Sequence, residues 1–173
     1  KITDKRKGID YFIESCRVLA ERYPELKDEL GIVVYGKDSE QLKPLVPFQV
    51  YPLNYISNEK ELIDVYNSVD LFVTPSLEEN LPNTIMEAMA CGIPCVGFQV
   101  GGIPEMIDHL HNGYVAEYKS VEDFANGIHW VLNEGEYKTL SEEACRKVSS
   151  SYSESAIAKR YIEVYNKVTG SNE

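Results

Sequence analysis

Apolar residues follow two different periods along the chain. Short apolar runs bounded by glycine, proline or polar residues predict buried strands at 31–36, 48–53, 70–75 and 94–98. Apolar positions at helical spacing predict helices at 9–22, 58–69 and 83–91. Strands and helices therefore alternate, which is the pattern of a parallel sheet with helices on both of its faces.

The last third of the chain has a different pattern. After "GYVAEY" the periodicity predicts three helices, at 121–133, 137–150 and 153–168, with no strand between them. The fold class expected from the whole pattern is α/β, a doubly wound parallel sheet with a helical C-terminus. The 173 residues suit a single domain, 1–173.

The first residues are charged and lead directly into a helix, without the strand that normally precedes it in such a sheet. Either residues 1–3 are the end of that strand or the chain is an excised piece of a larger protein. We favour the excised piece.

Charge and cysteine content narrow the function classes. The formal net charge of -11 argues against a nucleic-acid-binding or anionic-membrane-binding surface. No apolar run approaches the roughly 20 residues that span a bilayer, so a soluble, cytoplasmic protein without a transmembrane segment is expected. The four cysteines lack a zinc-site spacing, and such usage fits a reducing compartment.

The loop "SLEENLPN" (76–83) carries the most informative chemistry. It leaves a predicted strand and enters a helix that begins near Pro82 or Asn83, and ligands of open parallel sheets bind in such loops. The free N–H groups and the dipole of a helix start favour a phosphate. Glu79 precedes this helix, and Glu87 lies about one turn inside it.

Glu87 is flanked by apolar residues, which predicts a partly buried carboxylate that needs hydrogen-bonding partners. Ribose hydroxyls are suitable partners, so the pattern predicts a phosphate on the loop with one sugar near each glutamate. The alternative is that Glu79 caps the helix and Glu87 pairs with a basic neighbour.

A second loop, "VGGIPEMI" (100–107), does not match Gly-x-Gly-x-x-Gly, so dinucleotide binding is poorly supported. Gly101 and Gly102 let backbone approach a sugar or a diphosphate, or they form a tight turn without a ligand. The sequence contains no Asp-x-Asp pair, the usual site for a nucleotide-bridging cation, so we predict no metal site.

The segment "PSLEENLPNTIMEAMACGIPCVGFQVGGIPEMIDHLHNGYVA" closely resembles the donor-binding segment of glycosyltransferase family 4 enzymes. "KRKGIDYFIESCRVL", "ELIDVYNSVDLFVTPS" and "SESAIAKRYIEVYNKV" follow the same family order. The resemblance spans about residues 7–168. It implies the C-terminal, Rossmann-like half of a GT-B fold, and an enzyme that transfers a sugar with retention and without a metal.

The resemblance also implies residue roles. Glu79 would contact hydroxyls of the transferred sugar, and Glu87 the ribose of the nucleotide. The residues that would flank the sugar or the diphosphate through their backbone are Asn80, Leu81, Pro82, Asn83 and Thr84. Gly101 and Gly102 would let backbone come near the ligand.

Lys7 matches the family lysine that neutralises the leaving diphosphate. Family members often carry an arginine about five residues earlier, where this chain has Ile2. Arg6 is a candidate replacement, although its position next to Lys7 predicts that it points elsewhere.

The implied function is binding of a UDP-, GDP- or ADP-sugar, with no other cofactor, in polysaccharide or glycoconjugate biosynthesis. A sugar or lipid-linked acceptor would bind a missing N-terminal domain, so this fragment alone would transfer poorly. The alternative is a non-catalytic binding or assembly domain of the same fold that has lost the donor site. A phosphorylation-receiver domain is a weaker alternative, since its acidic cluster and lysine are not visible.

Overall fold

The strands of the protein are short and parallel. The computed structural model describes residues 4–53 and 55–170. Its strands are β1 (Gly31–Tyr35), β2 (Gln49–Leu53), β3 (Phe72–Thr74), β4 (Cys95–Phe98) and β5 (Gly113–Ala116). Every pairing is parallel, β1 with β2, β3 with β4, and β4 with β5.

Helices connect these strands and form the C-terminus. They are α1 (Ile9–Arg22), α2 (Leu26–Glu29), α3 (Glu59–Tyr66), α4 (Asn83–Ala90), α5 (Ile103–Met106), α6 (Val121–His129), α7 (Tyr137–Ser151) and α8 (Glu154–Thr169). Side-chain caps set several of their starts. Asn58, for example, accepts a hydrogen bond from Lys60 N at the start of α3.

Helices cover both faces of the sheet, which confirms the doubly wound α/β prediction. Val96 and Phe98 of the fully buried β4 belong to the apolar cluster that contains α1 and α6. Cys95 belongs to a second cluster, together with residues of α4 and α5. Alternate residues of a strand point to opposite faces, so β4 joins the two layers of the core.

The five strands form two sheets, with β1 and β2 in one and β3, β4 and β5 in the other. An apolar cleft of about 410 Å³ lies between the facing edges of β1 and β3 and is lined by Val33 and Val73. Within 4–53 and 55–170, no strand fills this position. The predicted strand end at residues 1–3 lies outside the described residues.

β5 was not predicted as a strand, because "GYVA" is short and follows a polar turn. The first residue of β5 is Gly113, and a Cβ atom there would overlap with the Cys95 carbonyl oxygen. A glycine at this position therefore lets β5 pair closely with β4. The three C-terminal helices are confirmed. The first ends at His129 and continues as a π-helical turn from Trp130 to Glu134. No helix in the described part of the chain is long and apolar enough to cross a membrane.

Candidate functional site

Three loops meet at the carboxyl edge of β3 and β4. They are the short helical turn at Lys5–Lys7, the loop from Pro75 to Pro82, and the loop that precedes α5. Leu77 N donates a hydrogen bond of 2.7 Å to the Arg6 carbonyl, and Gly102 N donates one of 2.6 Å to the Asn80 carbonyl. Backbone bonds therefore fix the middle loop from both sides.

Gly101 is required by this packing. Its φ of 54° is left-handed, and a Cβ atom there would overlap with the Glu79 carbonyl oxygen. A Cβ atom at Gly102 would overlap with the Asn80 carbonyl oxygen. The sequence left open whether these glycines serve a ligand or a tight turn. In the structure, the backbone that approaches them is that of the middle loop, which carries the predicted sugar-binding residues.

The close packing around Gly101 predicts that a methyl group added there would lower the stability of the fold substantially. We expect Gly101→Ala to lower the free energy of unfolding by about 2–3 kcal/mol, through left-handed backbone strain and steric overlap. Gly170→Ala is the matched control, because Gly170 has a φ of 68° and no atom within 4 Å of the added Cβ. That control should cost only about 1 kcal/mol in urea unfolding. Equal losses in the two variants would contradict the packing argument.

Lys7 and Glu79 lie 72 positions apart in the sequence and form an ion pair. Lys7 Nζ is 2.6 Å from Glu79 Oε1. The lysine side chain is 52% exposed and that of the glutamate 17% exposed, so the pair lies at the mouth of the site. The structure thus brings together the two residues predicted to be catalytic.

Arg6 does not point toward this pair. Its guanidinium donates two hydrogen bonds to Asp4, of 3.1 and 2.9 Å. The Arg6 hydrogen bonds lower the pKa of the Asp4 carboxyl, and the side-chain bond to Asp4 raises the pKa of Arg6. Ile2, where the family arginine was expected, lies outside the described residues. Lys7 is therefore the cation that this turn presents to Glu79.

The start of α4 agrees with the prediction. The helix begins at Asn83 with Pro82 at its N-cap, and no side chain caps it. Proline has no N–H, so Asn83 and Thr84 supply the first backbone donors of the helix. Glu79 binds Lys7 instead of this helix end, so the alternative that it caps the helix is wrong.

The remaining residues of the predicted set surround the same helix end. Asn80 is exposed, and Leu81 is 38% exposed at the surface. Pro82 and Gly102 are buried beneath them, and Thr84 is half-buried. The structure therefore brings every predicted site residue to the neighbourhood of α4 or of the loops that hold it.

Glu87 differs from the expectation in its burial. It is exposed, not partly buried, because it lies on the outer face of α4 while Ala88 and Met89 enter the core. Its described partner is not a basic residue. Tyr66 Oη donates a hydrogen bond of 3.0 Å to Glu87 Oε2. The alternative in which Glu87 pairs with a basic neighbour finds no support among the contacts of residues 4–53 and 55–170.

Tyr66 is the site residue that the sequence reasoning missed. It is 2% exposed and ends α3. Burial raises the pKa of its hydroxyl, and the hydrogen bond with Tyr35 and the neighbouring Glu87 act in the same direction. It lies in "ELIDVYNSVDLFVTPS", a segment that the family resemblance singled out without assigning a role to the tyrosine.

The cysteines and acids of the described ranges form no cluster of three or more groups that could hold a metal ion. All four cysteines are free. Burial raises the pKa of Cys16 to about 12 and also raises that of Cys95, so both are neutral thiols at physiological pH.

Comparison with known proteins shows which family this chain resembles. The family model "Glycosyl transferases group 1" matches residues 3–148. An uncharacterized glycosyltransferase from Haemophilus influenzae is 31% identical over 149 residues, which is 84% of this chain and 42% of the relative. N,N'-diacetylbacillosaminyl-diphospho-undecaprenol alpha-1,3-N-acetylgalactosaminyltransferase from Campylobacter jejuni is 26% identical over 164 residues, 94% of this chain and 42% of that protein. The chain thus spans less than half the length of these relatives.

Solved structures show the same fold. Anabaena Alr3699/HepE in complex with UDP superposes with a TM-score of 0.74 at 21% identity, over 95% of this chain and 46% of that one. The pneumococcal O-GlcNAc transferase GtfA in complex with UDP and GlcNAc superposes with a TM-score of 0.70 at 19% identity, over 96% and 34% of the two chains. With the family model covering most of its residues, the chain belongs to the group 1 glycosyl transferases and has the fold of the GT-B enzymes.

Proposed function

We propose that this chain is the nucleotide-sugar-binding domain of a retaining glycosyltransferase. The observation that carries the proposal is the arrangement around α4. An uncapped helix start lies between the Lys7–Glu79 pair and the exposed Glu87. Glu87 is four residues beyond Asn83, which is about 6 Å along the helix axis. Positive and negative groups therefore flank a helix end suited to phosphate.

Each part of a nucleotide sugar has a partner in this arrangement. The diphosphate binds the N–H groups of Asn83 and Thr84, where the helix dipole favours negative charge. Glu87 Oε1, which is not the oxygen bonded to Tyr66, accepts ribose hydroxyls. Glu79 accepts hydroxyls of the transferred sugar, and the backbone of Asn80 and Leu81 follows the same sugar.

Lys7 serves the chemical step. The bond between the anomeric carbon and the diphosphate oxygen breaks, and its electron pair goes to that oxygen. The acceptor hydroxyl forms the new bond at the anomeric carbon and passes its proton to the departing phosphate oxygen. Lys7 and the start of α4 stabilise the charge that develops on the phosphate, and such fixed groups need no reorganisation during the reaction. We therefore expect this step to proceed without a divalent cation.

The acceptor is assigned to the part of the protein beyond this chain, since relatives of this family are about twice as long or longer. We propose a cytoplasmic enzyme of polysaccharide or glycoconjugate biosynthesis, consistent with the Campylobacter jejuni relative. The chain alone would bind donor and transfer sugar poorly or not at all. The alternative, a domain that has lost its donor site, predicts no nucleotide binding by chain or full-length protein.

Calorimetric titration of this chain with UDP, GDP and ADP tests the proposal. We expect one of the three to bind, and the nucleotide sugar of that base to bind through additional contacts with Glu79. Glu79→Ala should leave the affinity for the free nucleotide within about threefold and weaken the sugar-bearing donor about tenfold. Absence of binding by chain and full-length protein alike would contradict the proposal and favour the non-catalytic alternative.

A further inference from the structure

Tyr66 occupies an unusual position beneath the helix that carries the site. It is the last residue of α3, and its ring packs edge-on against Phe72 at 5.9 Å between ring centroids. The residue is 2% exposed, yet its hydroxyl reaches an exposed carboxylate on α4. A buried hydroxyl needs hydrogen-bonding partners, and here they come from α4 and from β1.

The hydroxyl has three polar neighbours. Glu87 Oε2 is the nearest, at 3.0 Å, and the Thr84 carbonyl and the Tyr35 hydroxyl both lie at 3.4 Å. Tyr66 has one proton to donate, and the charged acceptor at the shortest distance receives it. Its oxygen then accepts from the Tyr35 hydroxyl. The resulting chain runs from Tyr35 through Tyr66 to Glu87.

This bond restricts a side chain that would otherwise be mobile. A glutamate on the outer face of a helix samples many rotamers, and ordering it on ligand binding costs free energy. The bond from Tyr66 fixes Glu87 Oε2 before any ligand arrives and leaves Oε1 for a second partner. Preorganisation of this kind increases affinity because less freedom is lost on binding.

We propose that Tyr66 is a positioning residue for nucleotide binding, which holds the Glu87 carboxylate in the orientation that accepts ribose hydroxyls. This inference rests on the function proposed above. Tyr66 itself is buried and contacts the ligand only through Glu87. Its effect is therefore confined to ligands that carry the hydroxyls recognised by Glu87.

The test compares two ligands in three proteins. The wild-type chain, Tyr66→Phe and Tyr114→Phe are titrated with the nucleoside diphosphate that binds and with its 2',3'-dideoxy analogue. Phenylalanine keeps the ring of Tyr66 and its packing on Phe72, and removes only the hydroxyl. Tyr114→Phe is the matched control, because that hydroxyl donates a 2.7 Å bond to Asp123, away from α4.

We expect Tyr66→Phe to weaken binding of the nucleoside diphosphate about tenfold, because the Glu87 side chain must then be ordered when the ligand binds. The same variant should change the affinity for the dideoxy analogue by less than about twofold. Tyr114→Phe should change the affinity for either ligand by less than about twofold. A purely structural role would weaken both ligands equally in Tyr66→Phe, and that result would overturn the proposal, as would no change for either ligand.

The two proposals fail in distinguishable ways. If the wild-type chain and the full-length protein bind no nucleoside diphosphate, the proposed function fails and the positioning role fails with it. If the wild type binds and Tyr66→Phe binds equally well, only the positioning role fails. Thermal unfolding of each variant, followed by circular dichroism, verifies that all three proteins are folded at the temperature of the titration.

Discussion

Lys7→Ala in the full-length enzyme is expected to lower the kcat of sugar transfer by about 10²–10³-fold, the usual loss for one group that stabilises developing charge. The reason is the position of Lys7, 2.6 Å from Glu79 at the mouth of the site. The diphosphate of the intact donor is already negatively charged, and further charge develops on it as its bond to the sugar breaks. The lysine therefore contributes more to the transition state than to donor binding, and KM should change less than tenfold.

Two neighbouring cations provide the controls for Lys7. Lys5 lies in the same helical turn and is exposed, and Arg6 is paired with Asp4. Lys5→Ala and Arg6→Ala should each retain kcat within about threefold, measured with the same donor and acceptor at saturation. A large loss in Arg6→Ala would show that Arg6 replaces the arginine expected at Ile2. A loss in Lys7→Ala no greater than in Lys5→Ala would remove Lys7 from the mechanism.

The ion pair of Lys7 with Glu79 does not prevent this role. An ion pair that is half exposed contributes about 0–1 kcal/mol, since water and salt screen it. A diphosphate carries more than one negative charge, and in the proposed site it would lie at a helix start, where anions are favoured. It therefore competes well for the lysine. Glu79 would then be available to accept hydrogen bonds from the sugar hydroxyls. The Lys7–Glu79 contact thus keeps each side chain beside its proposed ligand group, which is the phosphate for Lys7 and the sugar for Glu79.

The periodic features of the sequence predicted most of the fold. The helix start at Asn83 followed from Pro82, and the four predicted strands are present with bounds shifted by one or two residues. These features depend on local spacing and turn chemistry, which a sequence shows directly. The division into two sheets was not predictable in this way, because strand pairing depends on which distant segments meet.

The burial of Glu87 was predicted wrongly for a geometric reason. Successive residues of a helix are rotated by about 100°, so apolar neighbours in sequence do not place a residue in the core. Ala88 and Met89 face inward, while Glu87 faces outward. The carboxylate acquires its partner from Tyr66, which lies 21 positions earlier and on another helix. No spacing rule links the two residues.

The Lys7–Glu79 contact and the role of the glycines also depend on residues that are distant in sequence, so local patterns did not predict them. The family resemblance brought Lys7 and Glu79 to one site, but only the fold shows that they touch across 72 positions. Gly101 was read as a residue that admits a ligand or forms a turn. In the structure its missing side chain makes room for the Glu79 carbonyl. The roles of Lys7, Glu79 and Gly101 therefore follow from contacts between loops that are distant in the sequence.

Glu87→Ala is expected to weaken binding of the nucleoside diphosphate to this chain by about a hundredfold. The exposed carboxylate is held by Tyr66 through one oxygen and has the other available for ribose. Each hydrogen bond from a hydroxyl to a charged acceptor contributes about 1.5–3 kcal/mol, so loss of one or two such bonds gives a change of this size. The same variant should lower the free energy of unfolding by about 1 kcal/mol, because the buried Tyr66 hydroxyl loses its charged acceptor and keeps the more distant Thr84 carbonyl, at 3.4 Å.

Titration calorimetry at constant ionic strength measures this effect, and Glu142→Ala is the control. Glu142 is an exposed glutamate of α7, and its ion pair with Lys138 lies outside the site. Its removal changes the net charge by the same amount, so a general electrostatic effect would appear equally in both variants. Equal affinities for Glu87→Ala and Glu142→Ala would exclude Glu87 from nucleotide recognition. A selective loss in Glu87→Ala would show that this exposed acid on α4 contributes to nucleotide recognition through its position, and not through the protein's overall negative charge.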